Sequence, residues 1–300
     1  MEIRQIAKIF AWSLGIFFLC TAPSCTQSPA NPPPIPTQQQ HKQTSLSQDE
    51  IVQELLQADV VYLGETHSNP EDHHAQLQIL KALYQQRPKI AIAMEMFQRP
   101  AQESLNQYVA GTITESELME QTEYKQRWGF PWEYYAPLLR FAQQHQLPIL
   151  ALNTPTEVTR KVASGGLDSL TEEERQQIPP LTEIRTDNAE YRQMIQEIYE
   201  QHHQQSQGYS KNFEQFFTAQ VLWDETMAEG IAKFVRANPD YQVVVIAGKG
   251  HIVYGYGIPS RVARRLNTSE LIQRSVLFGT PEENLPQGEK AIADFFWLHR

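Results

Sequence analysis

The sequence predicts an α/β fold: a mainly parallel sheet flanked by helices, with an additional helical lobe over about residues 167–237. Three observations predict it. Short apolar runs at 60–63, 90–94, 148–152 and 242–247 have strand length and are too brief for helices. Helical spacing fills the intervals between them, and that alternation gives parallel strands covered on both faces. The stretch 167–237 lacks a strand pattern and so adds helices without adding to the sheet.

The elements follow in order. Ser47-Gln48-Asp49-Glu50 has capping-box spacing and opens a helix to about Ala58. Val60 to Leu63 is a buried strand. Residues 71–86 carry Ala75, Leu77, Leu80, Leu83 and Tyr84 at helical spacing and stop before Pro88, which disfavours helix in the residue ahead of it. Ile90 to Met94 is the second strand. Helical patterns at 99–110, 114–123 and 132–146 lead to the third, Pro148 to Leu152. Three more helices span 156–163, 187–205 and 211–237. Gln242 to Ala247 is a β-branched fourth strand, and Pro259 sits where a first-turn proline is tolerated, opening a helix to about Leu266. Ile272 to Phe278 and Ala293 to Trp297 read as late strands.

Composition excludes several classes. The chain has 300 residues, is 41% hydrophobic and carries a net charge of −10. Nucleic-acid binding needs dense cationic patches, and no Lys/Arg run occurs. Only Cys20 and Cys25 exist, so a disulfide framework is excluded. No 18-residue apolar run follows residue 25, which excludes a polytopic helical membrane protein.

Residues 1–24 read as a signal peptide, with Arg4 and Lys8 ahead of the apolar Ile9 to Leu19. Cleavage after Ala22 competes with cleavage before Cys25, which makes Cys25 the lipidated first residue of a lipoprotein. Removal of residues 1–24 takes the charge from −10 to −11, because Glu2 opposes Arg4 and Lys8. Residues 25–46, rich in Pro and Gln, form an extended tether, and the folded domain covers 47–300. An exported protein, lipid-anchored and facing the periplasm or the cell exterior, is the expected location.

Ionisable residues gather where the strands end. The first strand runs into Glu65 and His67, the second into Glu95, the third into Asn153 and the fourth into Lys249 and His251. The carboxyl edge of an open α/β sheet is where ligands bind. Each residue alone reads equally well as a cap or a packed side chain; their shared edge argues for one cavity. His74 follows His73 on a helix, where neighbouring residues diverge by about 100°, so both cannot line one small site. Trp128, Trp132, Tyr134 and Tyr135 serve as core or as a flat ligand wall. His202 and His203 close a helix as caps or ligands. Tyr254 and Tyr256, interleaved with glycines, are candidate phenolate donors to ferric iron or parts of a simple turn.

Taken together, the motifs resemble the ChaN-like family of the haem-uptake and Tiki superfamily. The matching stretches are Leu63 to His67 with Asp72, His73, His74 and Gln76; Met94 to Phe97 with Gln102; Trp128 to Tyr135; Ala151 to Pro155; Phe217 to Gln220 with Trp223, Asp224, Met227 and Ala228; and Ala247 to His251 through Gly257-Ile258-Pro259. The resemblance spans roughly residues 50–267. It implies an iron-regulated lipoprotein that binds haem, with a pair of stacked haems held between two protomers and one tyrosine ligand on each iron. Tyr254 and Tyr256 are the candidate ligands here, with His67, His74 and His251 near them, and Arg261, Arg264 and Arg265 as partners for the propionates. Erythromycin-esterase-like members of the superfamily imply an alternative, a metal-dependent hydrolase using Glu65, His67, Glu95 and His251, either as ligands of a divalent ion or with His67 as a metal-free base. A third reading is a scaffold whose polar edge meets a partner protein.

Overall fold

The structure, a computed structural model, describes residues 46–203, 212–280 and 290–299. The signal peptide, Cys25 and the tether to residue 45 lie outside the described residues, as do the side chains of His202 and His203.

Ser47 caps α1 (Gln48–Leu55) through the expected reciprocal bonds with Glu50. Then come β1 (Val60–Glu65), α2 (Pro70–Gln86), β2 (Ile90–Gln98), α3 (Gln102–Val109), α4 (Glu115–Gln121), α5 (Tyr124–Arg127), α6 (Ala136–His145) and β3 (Ile149–Asn153). After these follow α7 (Thr156–Gly165), α8 (Glu172–Arg175), α9 (Ala189–His203), α10 (Phe213–Ala237), β4 (Gln242–Gly248), α11 (Ile258–Leu266), β5 (Gln273–Phe278) and β6 (Phe295–Trp297). The strands form one sheet in the order β3-β2-β4-β1-β5-β6, every pairing parallel. Crossover helices between parallel strands cover both faces, as the sequence predicts.

Alternation along each strand divides the core. Val61, Leu63, Ile92, Met94, Val244 and Ile246 face one side, against Leu55 of α1, Ile79 and Leu83 of α2 and Leu139 of α6. Val60, Tyr62, Val243 and Val245 face the other, against Met227 and Ile231 of α10 and Val262 of α11. Each such fully buried side chain contributes roughly 1.5–3 kcal/mol.

Residues 167–237 contain no strand among the described residues. Helix α10 nevertheless does two jobs. Its amino-terminal half packs Ala219 and Leu222 on Val158 and Leu170, and Phe217 and Val221 on Tyr191 and Ile195. Its carboxyl-terminal half lies directly on the sheet. The lobe and the sheet thus share one helix. No helix among the described residues is long and apolar enough to cross a membrane.

The second strand is longer than predicted. Its register against β3 shifts between Met94 and Gln98, and its pairing with β4 stops at Met94 opposite Ile246. A bulge of this kind re-aims a side chain at a sheet edge. The side chain re-aimed here is Glu95.

Candidate functional site

Two histidines meet at the carboxyl edge of the central strands, each held by a buried carboxylate. Glu65, last residue of β1, is 1% exposed. Its Oε1 lies 2.7 Å from His67 Nδ1 and accepts from the Tyr135 hydroxyl at 2.5 Å, while Oε2 accepts from Gln76 Nε2 at 2.7 Å. Burial alone raises this carboxyl's pKa, but the His67 hydrogen bond, the His73 and His67 charges and the Tyr135 bond outweigh it and bring the value to about 2. A carboxylate so held keeps the proton on Nδ1 and leaves Nε2 facing the cavity.

His251 repeats the arrangement from the other direction. Its Nδ1 lies 2.7 Å from Asp224 Oδ1 and 3.1 Å from Gln220 Nε2. Tyr191 donates to Asp224 Oδ2 at 2.6 Å. Each imidazole is therefore tied to a buried acid that also accepts from a buried tyrosine. Burial pushes both histidine pKa values down. For His67 the Glu65 hydrogen bond and Glu95 reverse that, for His251 Glu95 and Asp224 do, and both end raised.

Glu95 stands between the two dyads. Its Oε1 is 3.6 Å from His251 Nε2, and its Oε2 accepts from the Gly248 amide at 2.7 Å. Asn153, ending β3, donates from Nδ2 to the Glu95 carbonyl at 3.0 Å and fixes the bulge. Gly248 makes the meeting sterically feasible, since a Cβ there would fall 2.8 Å from His67 Nε2. Aromatic rings wall the pair: Trp128 lies edge-on to His67 at 4.9 Å, Phe130 at 5.1 Å, and Trp223 lies 6.1 Å from His251. Both histidines are 3% exposed.

A second network anchors the loop that carries His67. Asp72 accepts from the Thr66 amide at 2.8 Å and from Asn69 Nδ2 at 2.7 Å, and lies 3.0 Å from His299 Nε2. Burial is the main cause that raises the Asp72 pKa, to about 6.

The structure thus brings Glu65, His67, Glu95 and His251 to one place. Three carboxylates face two imidazoles, with Arg261 4.0 Å from Asp224. The set can hold and exchange protons. Both Glu65 oxygens are engaged by protein groups, and no group of three or more His, Cys, Asp or Glu among the described residues is placed to hold a metal ion.

Other predicted residues lie apart. His74 is exposed on α2 and meets only the Gln78 amide, at 3.0 Å. Arg261 is buried, donating to the carbonyls of Tyr256 and Gly257, with its Nε 3.4 Å from Glu225. Arg264 and Arg265 are paired with Glu225. None of these three arginines reaches out to a ligand at the rim.

Tyr254 and Tyr256 occupy the turn that leaves His251. Their rings stack at 5.3 Å, and Tyr254 holds a left-handed backbone (φ 56°), followed by Gly255 at φ 68°. Glycine adopts that conformation freely; for tyrosine it costs roughly 1–2 kcal/mol. Tyr254 also lines a cleft of about 390 Å³ with Tyr62, Pro259, Arg274 and Ile292. Burial, with Glu190 beside it, raises the Tyr256 phenol.

Sequence reasoning missed Tyr191, read Tyr135 only as core or ligand wall, and met Gln76, Gln220 and Asp224 only as family-matching positions without a role. A signal existed for the last two: Gln220 and Asp224 lie one turn apart on a helix, with the apolar Val221, Leu222 and Trp223 between them.

An all-parallel α/β sheet with a closed His/carboxylate cluster at its carboxyl edge defines the class. Within it, the family model described as "Haem-binding uptake, Tiki superfamily, ChaN" matches residues 51–262, and the chain belongs to that family. The fold is that of the solved structure of cofacial heme binding to ChaN of Campylobacter jejuni: TM-score 0.65 at 20% identity, covering 84% of this chain and 91% of that one. A mutant erythromycin esterase, EreC, in its open conformation is more remote, at TM-score 0.46 and 15% identity over 77% of this chain and 72% of that one. Among curated proteins, Protein RETICULATA-RELATED 5, chloroplastic, of Arabidopsis thaliana is 27% identical over 269 residues. That match takes in 82% of this chain and 35% of the plant protein, so the chain spans about a third of its relative's length.

Proposed function

We propose that this protein binds haem at the turn carrying Tyr254 and Tyr256, with Tyr254 as the iron ligand. Membership of a haem-binding family supports the ligand class. The observation that carries the assignment to this turn is the strained Tyr254, since backbone strain that packing sustains marks functional positions. The residues fit the group. A porphyrin needs an apolar surface, a donor to iron and cations for its propionates; the cleft beside Tyr254 offers Tyr62, Pro259 and Ile292, a phenol oxygen and Arg274. Tyr256, its phenol raised, serves as a stacking surface for its neighbour. Haem supplies a Lewis-acidic ferric centre. A half-buried single phenolate ligand would hold ferric iron and would let it go on reduction, which suits transfer of a cargo. Haemin titration should give a saturable Soret shift that Tyr254→Phe removes and Tyr256→Phe only weakens. No shift at micromolar protein, or full binding by Tyr254→Phe, overturns the reading.

Export by the segment before residue 25, lipidation at Cys25, anchoring to a membrane that faces the periplasm or exterior, and a haem-bridged homodimer belong to the same proposal. They are supported by the charged and apolar pattern of residues 4–19 and by the family resemblance. Globomycin-sensitive processing and a haem-dependent doubling of mass in sedimentation are the outcomes expected.

A second reading is favoured by one observation that haem binding does not use: two His–carboxylate dyads converge on Glu95. That geometry suits metal-free hydrolysis, with His67 Nε2 as the base that takes a proton from water and Glu65 orienting the ring. Slow turnover of an ester or peptide panel, abolished by His67→Ala and by Glu65→Gln, supports it. Turnover indifferent to both substitutions rejects it.

A further inference from the structure

A groove of about 320 Å³ opens between α10, α11 and the segment before α9, away from the rim. Lys233 and Arg236, on its wall, stand about 14–18 Å along α10 from Asp224. Arg185, Arg264 and Arg265 complete its cationic lining. Such a concentration stands out in a chain of net charge −10.

The local acids do not absorb it. Glu225 Oε2 takes Arg264 at 2.6 Å and Arg265 at 2.7 Å, while its Oε1 takes the Arg185 amide at 3.2 Å and lies 3.4 Å from Arg261 Nε. Glu229 is shared between Arg99 at 2.8 Å and Lys233 at 3.1 Å. Glu183 pairs with Arg265. Five cations therefore share three carboxylates. The guanidinium groups of Arg185 and Arg236 have no carboxylate partner among the described residues, and Arg236 donates to the Arg265 carbonyl. Arg265 adds an independent mark: its side chain is 6% exposed, and its Nε is buried without a hydrogen-bond partner. Like charges held together around a concavity repel one another, and a compact anion relieves that repulsion while filling the unused donors.

We propose that this groove binds a small oxyanion carrying two or more negative charges, of the kind a phosphate ester or a dicarboxylate presents. The volume admits a ligand of few heavy atoms, and Ala232 is the single apolar side chain on its lining, so recognition is polar. Planar guanidinium forks from two elements suit tetrahedral or planar oxygens equally, which is why charge and not shape sets the class.

The full chain at low salt, titrated calorimetrically with inorganic phosphate, pyrophosphate and succinate, tests this. At least one probe should bind saturably at millimolar concentration or better. Lys233→Ala and the double variant Arg185→Ala/Arg236→Ala, all at exposed positions, should each weaken binding about tenfold or more. The probe that binds best assigns the ligand to phosphate or carboxylate chemistry. No saturable binding of any probe overturns the proposal, and so does binding that both variants leave unchanged. Haemin titration of the same variants should be unaltered, so failure here is distinguishable from failure of the haem reading.

Discussion

Only Ile252 and Val253 separate two very different regions, the His251 cluster and the tyrosine turn that starts at Tyr254. In the first, each imidazole is matched by a buried acid, His67 by Glu65 and His251 by Asp224, and each acid by a tyrosine hydroxyl. In the second, two rings stack on a strained turn beside an open cleft. A matched cluster fixes protonation states and geometry; on the proposed reading, the open turn would admit and release a large flat ligand. The contrast separates what the fold makes rigid from what it leaves accessible, with a chemistry-capable core beside the turn proposed to carry haem.

Breaking the first region should cost most. Glu65→Ala strips the partner from His67, Tyr135 and Gln76 together, and urea unfolding should show a loss of about 3–5 kcal/mol. Glu65→Gln should lose less, because shape and one acceptor remain.

Acid should reproduce part of that loss. The folded-state pKa of Glu65 is about 2, below its ordinary 4.5, so its stabilisation is complete above 4.5 and disappears as pH falls toward 2. The size is on the order of 3 kcal/mol. Asp72 has the opposite sign. Its pKa is raised from 3.8 to about 6, so the folded state binds the proton more tightly and stability falls as pH rises through that window. Unfolding free energies of wild type and Asp72→Asn between pH 2 and pH 7 should differ in slope from about 4 to 6 and converge in slope below it.

A finer cut is Gly248→Ala. Its Cβ would fall 2.8 Å from His67 Nε2, so the ring must shift, at about 1–3 kcal/mol in thermal unfolding. Haemin binding should persist, because the tyrosine turn is untouched. Smallest in stability is Tyr254→Phe, within about 0.5 kcal/mol, yet it should remove the Soret change. Together the two variants sharpen the comparison: one damages the cluster and spares the carrier turn, the other does the reverse.

Much of the architecture was legible because its signals are local. Apolar runs of strand length alternate with helical spacing, and Glu65, His67, Glu95 and His251 each follow such a run, so a common edge could be read off. What stayed hidden depends on distant packing. Asp224 and Gln220 reach His251 only because α10 lies across the sheet, and nothing in their own segment says which face turns to the rim. Tyr135 sits in an aromatic run that reads equally as core. Arg261 looks like one of several surface bases on its helix and is in fact 4% exposed. The extension of β2 to Gln98 was obscured by its bulge, since a register shift breaks the alternation that marks a strand.

Each dyad also comes with its own indole. Trp128 lies against His67 and Trp223 near His251. A protonated imidazole quenches tryptophan emission by accepting an electron, so the fluorescence of this protein reads the charge of its two hidden rings. Among the five tryptophans, the difference in emission between wild type and Trp128→Phe, or wild type and Trp223→Phe, would follow one histidine at a time in the intact molecule.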